Sequence, residues 1–568
     1  MHAVVRLWEL PILLLALQAQ VLMAQEESTG HAKSNPVMQN AEFNIQKRDT
    51  TQTPVKTAQR PLPKFDLPEF VITGTASIFL PKIEKNILDD SIDVPQTMFL
   101  SSEHVLRDRE TLELNMKNRE RESQGQATHY TGYANAGIGT YFSPQAELQF
   151  GQSFPEFNYS FGGNYFLTKG YAPNTDYSSG GVTASGGSTL LTTMPSLRNA
   201  ALHGDIGYRS ESYRFYGSAT PDLQRTLSDF QFQAGVENKS ANYLPRAAGI
   251  SLASFNVADS SASVHETRFD LNYETSIPVA SLSVLSKLHF MTATGGLRYL
   301  DVSAGAQNYW ETGVLVEGSL HLYWVKGMAG QNLVHLCPQI MASYQITSQH
   351  LFYISYEQMF IPMTLASNII TNQYLSAAST IKHQYNTGSG ELGVESHWTE
   401  EVQSRVSLNV KSARDLPMFS DSSVQGLWTL AYGGQTRIVT FCAEMVAKLN
   451  SNDYFASNVL LRSTNDSFLG GKIPYTPAVE AWCSAIHRFG TAIAVRADVR
   501  CTGERTTDLA GTAALSSYAV ADVRSEYTPY DFLRLTVGIT NVTNTKFETW
   551  RGYREFPLTM HVAAQIKW

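Results

Sequence analysis

From Pro557 to Trp568 the chain alternates almost without fault. Leu558, Met560, Val562, Ala564, Ile566 and Trp568 fall on one face, and Thr559, His561, Ala563, Gln565 and Lys567 on the other. A period of two marks a strand with one apolar and one polar side, because successive side chains of an extended chain point to opposite faces. Such a strand has two homes. In a soluble all-β domain its apolar face packs on a core; in a membrane barrel that face meets lipid while the polar face lines the lumen.

The same alternation recurs upstream and argues for the barrel. From Ala127 the chain is dominated by Gly, Tyr, Phe, Ser and Asn. Alternating segments are read at Tyr130–Phe142, Gln145–Ser153, Asn158–Thr168, Val402–Lys411, Ala492–Cys501, Ala519–Tyr527 and Leu533–Val542, among others. Ile493, Val495, Ala497 and Val499 oppose Ala494, Arg496, Asp498 and Arg500; Leu533, Leu535, Val537 and Ile539 oppose Arg534, Thr536 and Gly538. Charges placed this way suit a water-filled lumen and would be costly facing a dry sandwich core. Asp498, Asp522 and Glu526 read as ladders of ion pairs with Arg496 and Arg524. No fixed repeat of a propeller blade is present. At about 20 residues per strand and connection, residues 127–568 hold about 20 to 22 strands. The fold class expected is therefore all-β, a transmembrane antiparallel β-barrel. Short breaks such as Thr528-Pro529-Tyr530-Asp531 and long ones such as Thr502 to Ser516 suit its periplasmic and extracellular sides.

Composition narrows the setting. The formal net charge is -8, so no basic field points to nucleic acid. Beyond the N-terminus no apolar run of about 20 residues occurs, which excludes a helical membrane protein. Arg6 supplies a positive charge, Pro11 to Ala19 an apolar run, and Leu22-Met23-Ala24 a cleavage site before Gln25. Residues 1–24 therefore read as a signal peptide for export, an uncleaved anchor being the other reading. The four cysteines, Cys337, Cys442, Cys483 and Cys501, lack zinc spacing. A turn near Phe489-Gly490 would set Cys483 opposite Ala497, leaving Cys501 about four positions away, too far for a disulfide.

Residues 25–64, rich in Gln, Ser, Thr, Asn, Lys and Pro, read as a flexible periplasmic linker. Residues 65–126 form a short N-terminal segment that ends in a densely charged run, Arg107-Asp108-Arg109-Glu110 and Arg119-Glu120-Arg121-Glu122. Within it, Glu69-Phe70-Val71-Ile72-Thr73 is a short β-prone run able to add to a partner's sheet edge.

These features resemble TonB-dependent outer-membrane receptors at three places. Glu69 to Thr73 are similar to the box with which such receptors pair with their energy-coupling protein. Gly538-Ile539-Thr540-Asn541-Val542-Thr543-Asn544-Thr545-Lys546-Phe547-Glu548-Thr549-Trp550-Arg551-Gly552-Tyr553 resembles the run before the family's last strand. Gly471-Lys472-Ile473-Pro474-Tyr475-Thr476-Pro477 looks like a strand entry of the same barrels. The asparagines suit a tight periplasmic turn and the aromatics an interface girdle. Met560, Val562, Ala564, Ile566 and Trp568 resemble the C-terminal signal read by the barrel-assembly machinery. The resemblance implies outer-membrane lipid as surroundings and a TonB-type protein as partner. One departure matters: about 60 residues separate Phe65 from the first strand, too few for the family's plug domain, and Gly-rich plug motifs are missing.

No GxxxxGK[ST] loop, HExxH pair or GxSxG elbow occurs, so no catalytic, cofactor or metal site is expected. His203, His265, His289, His321, His335, His350, His383 and His397 are scattered without ligand spacing, and Gly162-Gly163 and Gly180-Gly181 read as kinks or relief of crowding. Two functions remain. The first is outer-membrane uptake of a solute; the second is a non-transporting barrel that anchors or assembles envelope proteins through residues 25–126.

Overall fold

A computed structural model describes residues 131–568 apart from 155, 191–199, 239–245, 260–261, 280–281, 311–312, 400, 422–424 and 468–470. The expected leader, linker and Glu69–Thr73 segment lie outside the described residues.

The described chain forms a closed sheet of 22 strands. Each barrel strand pairs antiparallel with the next in sequence, and Gly132–Gly139 closes the ring on Thr559–Lys567, with Tyr133 opposite Lys567 and Gly139 opposite His561. Trp568 completes the seam: its carbonyl accepts from the Thr131 amide at 2.7 Å, and its own amide donates to Gly132 at 3.0 Å. Closure leaves no sheet edge unpaired, which a strand crossing hydrocarbon requires.

The alternation sorts residues as expected. Met560, Val562, Ile566 and Trp568 stand exposed outside, whereas Ala563 and Gln565 are buried inside. Across the wall, Val334, Leu336 and Ile340 of strand Asn332–Thr347 are likewise exposed, more than half their surface. An apolar band of this kind belongs in lipid. Among the described residues no helix is long and apolar enough to cross a membrane. The lumen face carries the charge. Arg496 pairs with Asp498 at 2.9 Å, Arg500 with Asp522 at 3.7 Å, and Arg524 with Glu526 at 2.9 Å. Arg534 reaches the same Glu526 at 3.8 Å, and Arg462 pairs with Glu480. Arg496–Asp498 and Arg524–Glu526 are the ladders read from the alternation; the pairs of Arg500, Arg534 and Arg462 add to them.

Four strands escape that reading: Ala247–Asp259, Leu297–Trp310, Val314–Lys326 and Gln384–His397. Inward apolar groups and glycines interrupt their alternation. Tyr299, Tyr323 and Val325 turn apolar groups inward, into a cluster with Met291, Cys337 and Phe360. Glycine interrupts Gln384–His397 at Gly388, Gly390 and Gly393. The Gly162-Gly163 and Gly180-Gly181 pairs sit in straight register and relieve crowding without a kink. A Cβ on Gly162 would stand 2.7 Å from the Thr183 hydroxyl, and one on Gly181 2.8 Å from the Asn164 side-chain Oδ1. The cysteine geometry differs from expectation. The turn at 490–492 is centred one residue later than expected and sets Cys483 opposite Val499, so Cys501 is two positions away; none of the four cysteines is in a disulfide.

The two ends of the barrel are unlike. At the end holding Trp568 several connections are short, as at 348–349, 490–492 and 531–532. The four longest, 362–383, 415–434, 503–517 and 541–558, are at the far end. Asn541 and Asn544 do make a tight turn, with φ of 50° at each. However, strand parity puts them at the long-connection end beside 503–517, not at the periplasmic end expected from their spacing. The turn begins a long connection rather than ending one.

Candidate functional site at the closed mouth

The long connections do not stand free. They fold over the mouth and share one core with the rim, including Phe215, Ile369, Tyr374, Leu375, Trp428, Tyr475, Trp550 and Tyr553. The aromatics expected in a membrane girdle are therefore in this core: Trp550 is 5% exposed and Tyr553 1%. An interface ring keeps one side in contact with lipid headgroups; these rings contact each other. Tyr475, expected at a strand entry, lies ahead of strand Val479–Phe489 and turns into the same core.

Connection 362–383 is the centrepiece. The strands flanking it, His350–Ile361 and Gln384–His397, both slip register near its base, between Glu357 and Met359 and between Asn386 and Gly388. Bulges bend a strand and re-aim the chain beyond it. His383 closes the neck: its Nδ1 accepts from the Met363 amide at 3.0 Å while its Nε2 lies 3.1 Å from the Lys326 carbonyl. Burial lowers its pKa, which favours the neutral ring this pattern needs. Thr364 and Ser367 then form a capping box that starts the short helix Leu365–Thr371.

Three residues of the wall, all distant in sequence, hold this connection down. Glu266 accepts from the Leu365 amide at 2.7 Å and the Ala366 amide at 3.3 Å, occupying the bare helix start. Arg225, fully buried, grips Asp259 with Nε at 2.6 Å and Nη2 at 2.8 Å. Its Nη1 donates to the carbonyls of Gln373 at 2.9 Å and Leu375 at 2.7 Å. The Tyr213 hydroxyl donates to Gln373 as well, at 2.6 Å. Such a fork leaves no buried charge unanswered; removing it would strand Asp259 and two carbonyls, a cost of about 3–5 kcal/mol for a buried pair.

The other connections meet it from elsewhere on the rim. Hairpin Pro417–Asp421 with Trp428–Tyr432 joins it backbone to backbone: Ser376 donates to the Trp428 carbonyl at 2.7 Å, and Trp428 to Tyr374 at 3.2 Å. Trp428 Nε1 donates to the Tyr475 hydroxyl at 3.1 Å, and the Tyr553 hydroxyl to the Gly426 carbonyl at 2.7 Å. The Tyr374 and Tyr553 rings stack with centroids 3.5 Å apart. Burial pushes the hydroxyls of Tyr374, Tyr475 and Tyr553 well above their ordinary 10, so they remain neutral donors. Connections 215–223, 415–434 and 541–558 touch at three glycines. A Cβ on Gly217 would lie 2.5 Å from the Gly552 carbonyl oxygen, and one on Gly426 2.5 Å from Ser218 Cα.

Sequence reasoning missed this cap. Its signal was Tyr374, Trp428, Tyr475, Trp550 and Tyr553 lying in stretches without alternation. Nothing in the arrangement forms a nucleophile with its base, and no group of three His, Cys, Asp or Glu among the described residues could hold a metal ion. The scattered histidines instead pair or stack: His289 with Asp270, His321 with Asp301, His335 on Tyr385. The arrangement joins connections from several parts of the rim in one core.

Comparison with solved structures places the fold. It is similar to the barrels of outer-membrane receptors and transporters for siderophores and metals. The ferric yersiniabactin uptake receptor FyuA from Yersinia pestis aligns with TM-score 0.61 at 11% identity, over 78% of this chain and 81% of that one. The FrpB iron transporter from Neisseria meningitidis aligns with TM-score 0.60 at 11% identity, over 78% and 82%. The copper transporter OprC aligns with TM-score 0.59 at 11% identity, over 78% and 82%. The resemblance to TonB-dependent receptors read from Gly538–Tyr553 and Trp568 is thus matched in three dimensions, at identities that speak for the fold alone. No family model matches the chain, and no curated protein does.

Proposed function

We propose that this protein is an outer-membrane receptor that takes up a solute through its barrel. The observation that carries the reading is a closed 22-strand barrel with a charged lumen, of the kind found in uptake receptors for iron, copper and siderophores. An anchor would need only the wall; a charged lumen serves passage. The anchoring alternative has no feature of the described residues in its favour. In this reading residues 1–24 direct export, and Met560, Val562, Ala564, Ile566 and Trp568 form the signal for the barrel-assembly machinery. Glu69, Phe70, Val71, Ile72 and Thr73 pair with a TonB-type protein that supplies energy.

The test is uptake of ferric siderophores, ferric iron and cupric ion by cells with and without the full chain. Accumulation of at least one that is lost on Ile72→Pro supports energised uptake, since proline cannot donate to an added strand. Equal accumulation of every probe with and without the protein would count against transport of these solutes.

A further inference from the structure

Strand Val314–Lys326 sends Leu320 and Leu322 outward, and turns His321 and Tyr323 inward, where both are buried. Ser319 shares the inward face with His321, because residues two apart on a strand point the same way. Strand Leu297–Trp310 pairs beside it, with Ser303 opposite His321 and Asp301 opposite Tyr323. This register brings three side chains into one line. The Ser319 hydroxyl lies 3.1 Å from His321 Nε2, and His321 Nδ1 lies 2.9 Å from Asp301 Oδ1 and 3.2 Å from Oδ2. An ionised carboxylate only accepts, so the proton between them belongs to Nδ1. Nε2 keeps its lone pair, and the Ser319 hydroxyl donates to it. The Tyr323 ring lies parallel to the imidazole, with 10° between planes and 5.6 Å between centroids, and its hydroxyl is 3.3 Å from Nδ1. The imidazole is thus held in plane and in tautomer from two sides.

We propose that Ser319, His321 and Asp301 form a serine-hydrolase site on the lumen wall, acting on small carboxylic esters. The roles follow from the geometry: a nucleophile, its base, and the group that orients the base. Ser319 Oγ attacks the ester carbonyl carbon, and its proton passes to His321 Nε2. His321 returns that proton to the departing alkoxide as the C–O bond breaks, which releases an alcohol and leaves the acyl group on Oγ. Water then attacks the acyl carbon and gives a proton to Nε2. The Oγ–acyl bond breaks, the carboxylic acid leaves, and Ser319 recovers the proton. Asp301 is a positioning residue that steadies the imidazolium without taking its proton. Backbone amides of a strand are engaged in the ladder, so the oxyanion needs a side chain. Gln339 is directly opposite Ser319 on strand Asn332–Thr347, on the face away from the outward Ile340, and is the donor placed for it. Gly305 faces Ser319 from the other strand: a Cβ there would stand 2.8 Å from Ser319 Cβ, so glycine keeps that flank clear. Ser319 is half-buried where His321 is buried, which leaves the nucleophile open and shields the base. No sequence motif announces the site, since its members come from two strands and meet only through register.

The test uses the full chain in lipid nanodiscs, with heat-modifiable migration as the check that the barrel is folded. The probes are a fluorophosphonate reporter and p-nitrophenyl butyrate. Both are applied to purified protein, so the result does not depend on the uptake reading. The reporter should form an Oγ–P bond at Ser319 as its P–F bond breaks and fluoride leaves, and peptide mass spectrometry should place the adduct there. Ser319→Ala should lose the adduct and lower ester hydrolysis by about 100-fold or more. Asp301→Asn should lower kcat by at least about tenfold at nearly unchanged KM, a split that a residue merely bracing the wall would not produce. Gln339→Leu should lower kcat by at least about tenfold while the adduct still forms, more slowly. A folded native barrel that takes no adduct and hydrolyses the ester no faster than empty nanodiscs overturns the proposal. So does a folded Ser319→Ala variant that hydrolyses the ester at the native rate, or an adduct mapped to another residue.

Discussion

Trp568 and Trp428 are the same residue under opposite rules. Trp568 stands 47% exposed on the outer wall, at the end of a strand whose apolar side faces lipid. Trp428 is 1% exposed among rings from several connections, with its Nε1–H satisfied by the Tyr475 hydroxyl. The wall needs only a period of two and a closed ladder, and each strand meets that need with its own residues. The cap needs partners far apart in sequence to arrive together: Tyr213 with Tyr374, Arg225 with Leu375, Trp428 with Tyr475. A wall therefore tolerates apolar exchange, while a cap depends on individual contacts.

Trp428→Ala should have the largest effect, a loss of about 3–5 kcal/mol of cap stability, as for large aromatic truncations in a core. Limited proteolysis should then cut the 415–434 connection while the barrel keeps its heat-modifiable migration. Simultaneous loss of both would mean that wall and cap are one cooperative unit, and the contrast would fail. Val562→Arg tests the wall. An arginine on the lipid face costs about 2–4 kcal/mol near the midplane, so denaturant should unfold the variant barrel earlier, whereas Val562→Leu should be near neutral. Gly217→Ala probes the seam: forcing a methyl against the Gly552 carbonyl should cost about 1–3 kcal/mol. Faster proteolysis at 541–558 would register it, and an unaffected seam would show that the three backbones do not meet.

The smallest effect concerns pH. Burial pushes the Glu555 carboxyl up to about 7 from its ordinary 4.5, against the pull of Thr549, Arg500 and Arg505. The folded cap thus binds this proton more tightly than an unfolded chain does. Cap stability should rise as pH falls from about 7 toward 4.5, and Glu555 adds nothing further below that. Protease protection of 541–558 should be greater at pH 5 than at pH 8, and Glu555→Gln should flatten that difference. A profile that keeps its slope in the variant would assign the titration elsewhere.

Much of the wall was legible in the residues. Leu535 and Val537 against Arg534 and Thr536, or Met560 to Trp568 against Gln565, announce two faces without any knowledge of neighbours. The ion pairs of Arg496, Asp498 and Glu526 followed from that alternation, and the strand count from dividing length by crossing. Where apolar groups also turn inward, as at Tyr323 and Val325, the alternation is interrupted and the strand went unseen. The motif Gly538–Tyr553 pointed to the right fold but to the wrong end of it. Its asparagines specify a turn, and a turn reads the same on either side of a membrane.

Alone, then, the sequence determined the closed wall, because side-chain direction in a strand is a local property of period two. It could not decide what stands over the mouth. The core of Tyr374, Trp428, Tyr475 and Tyr553 joins connections from across the rim. Arg225 lies 148 residues from Gln373, and Glu266 lies 99 from Leu365. Those contacts exist only once the ring has closed and brought its loops to one place. From Trp568 the membrane can be read; the cap had to be seen.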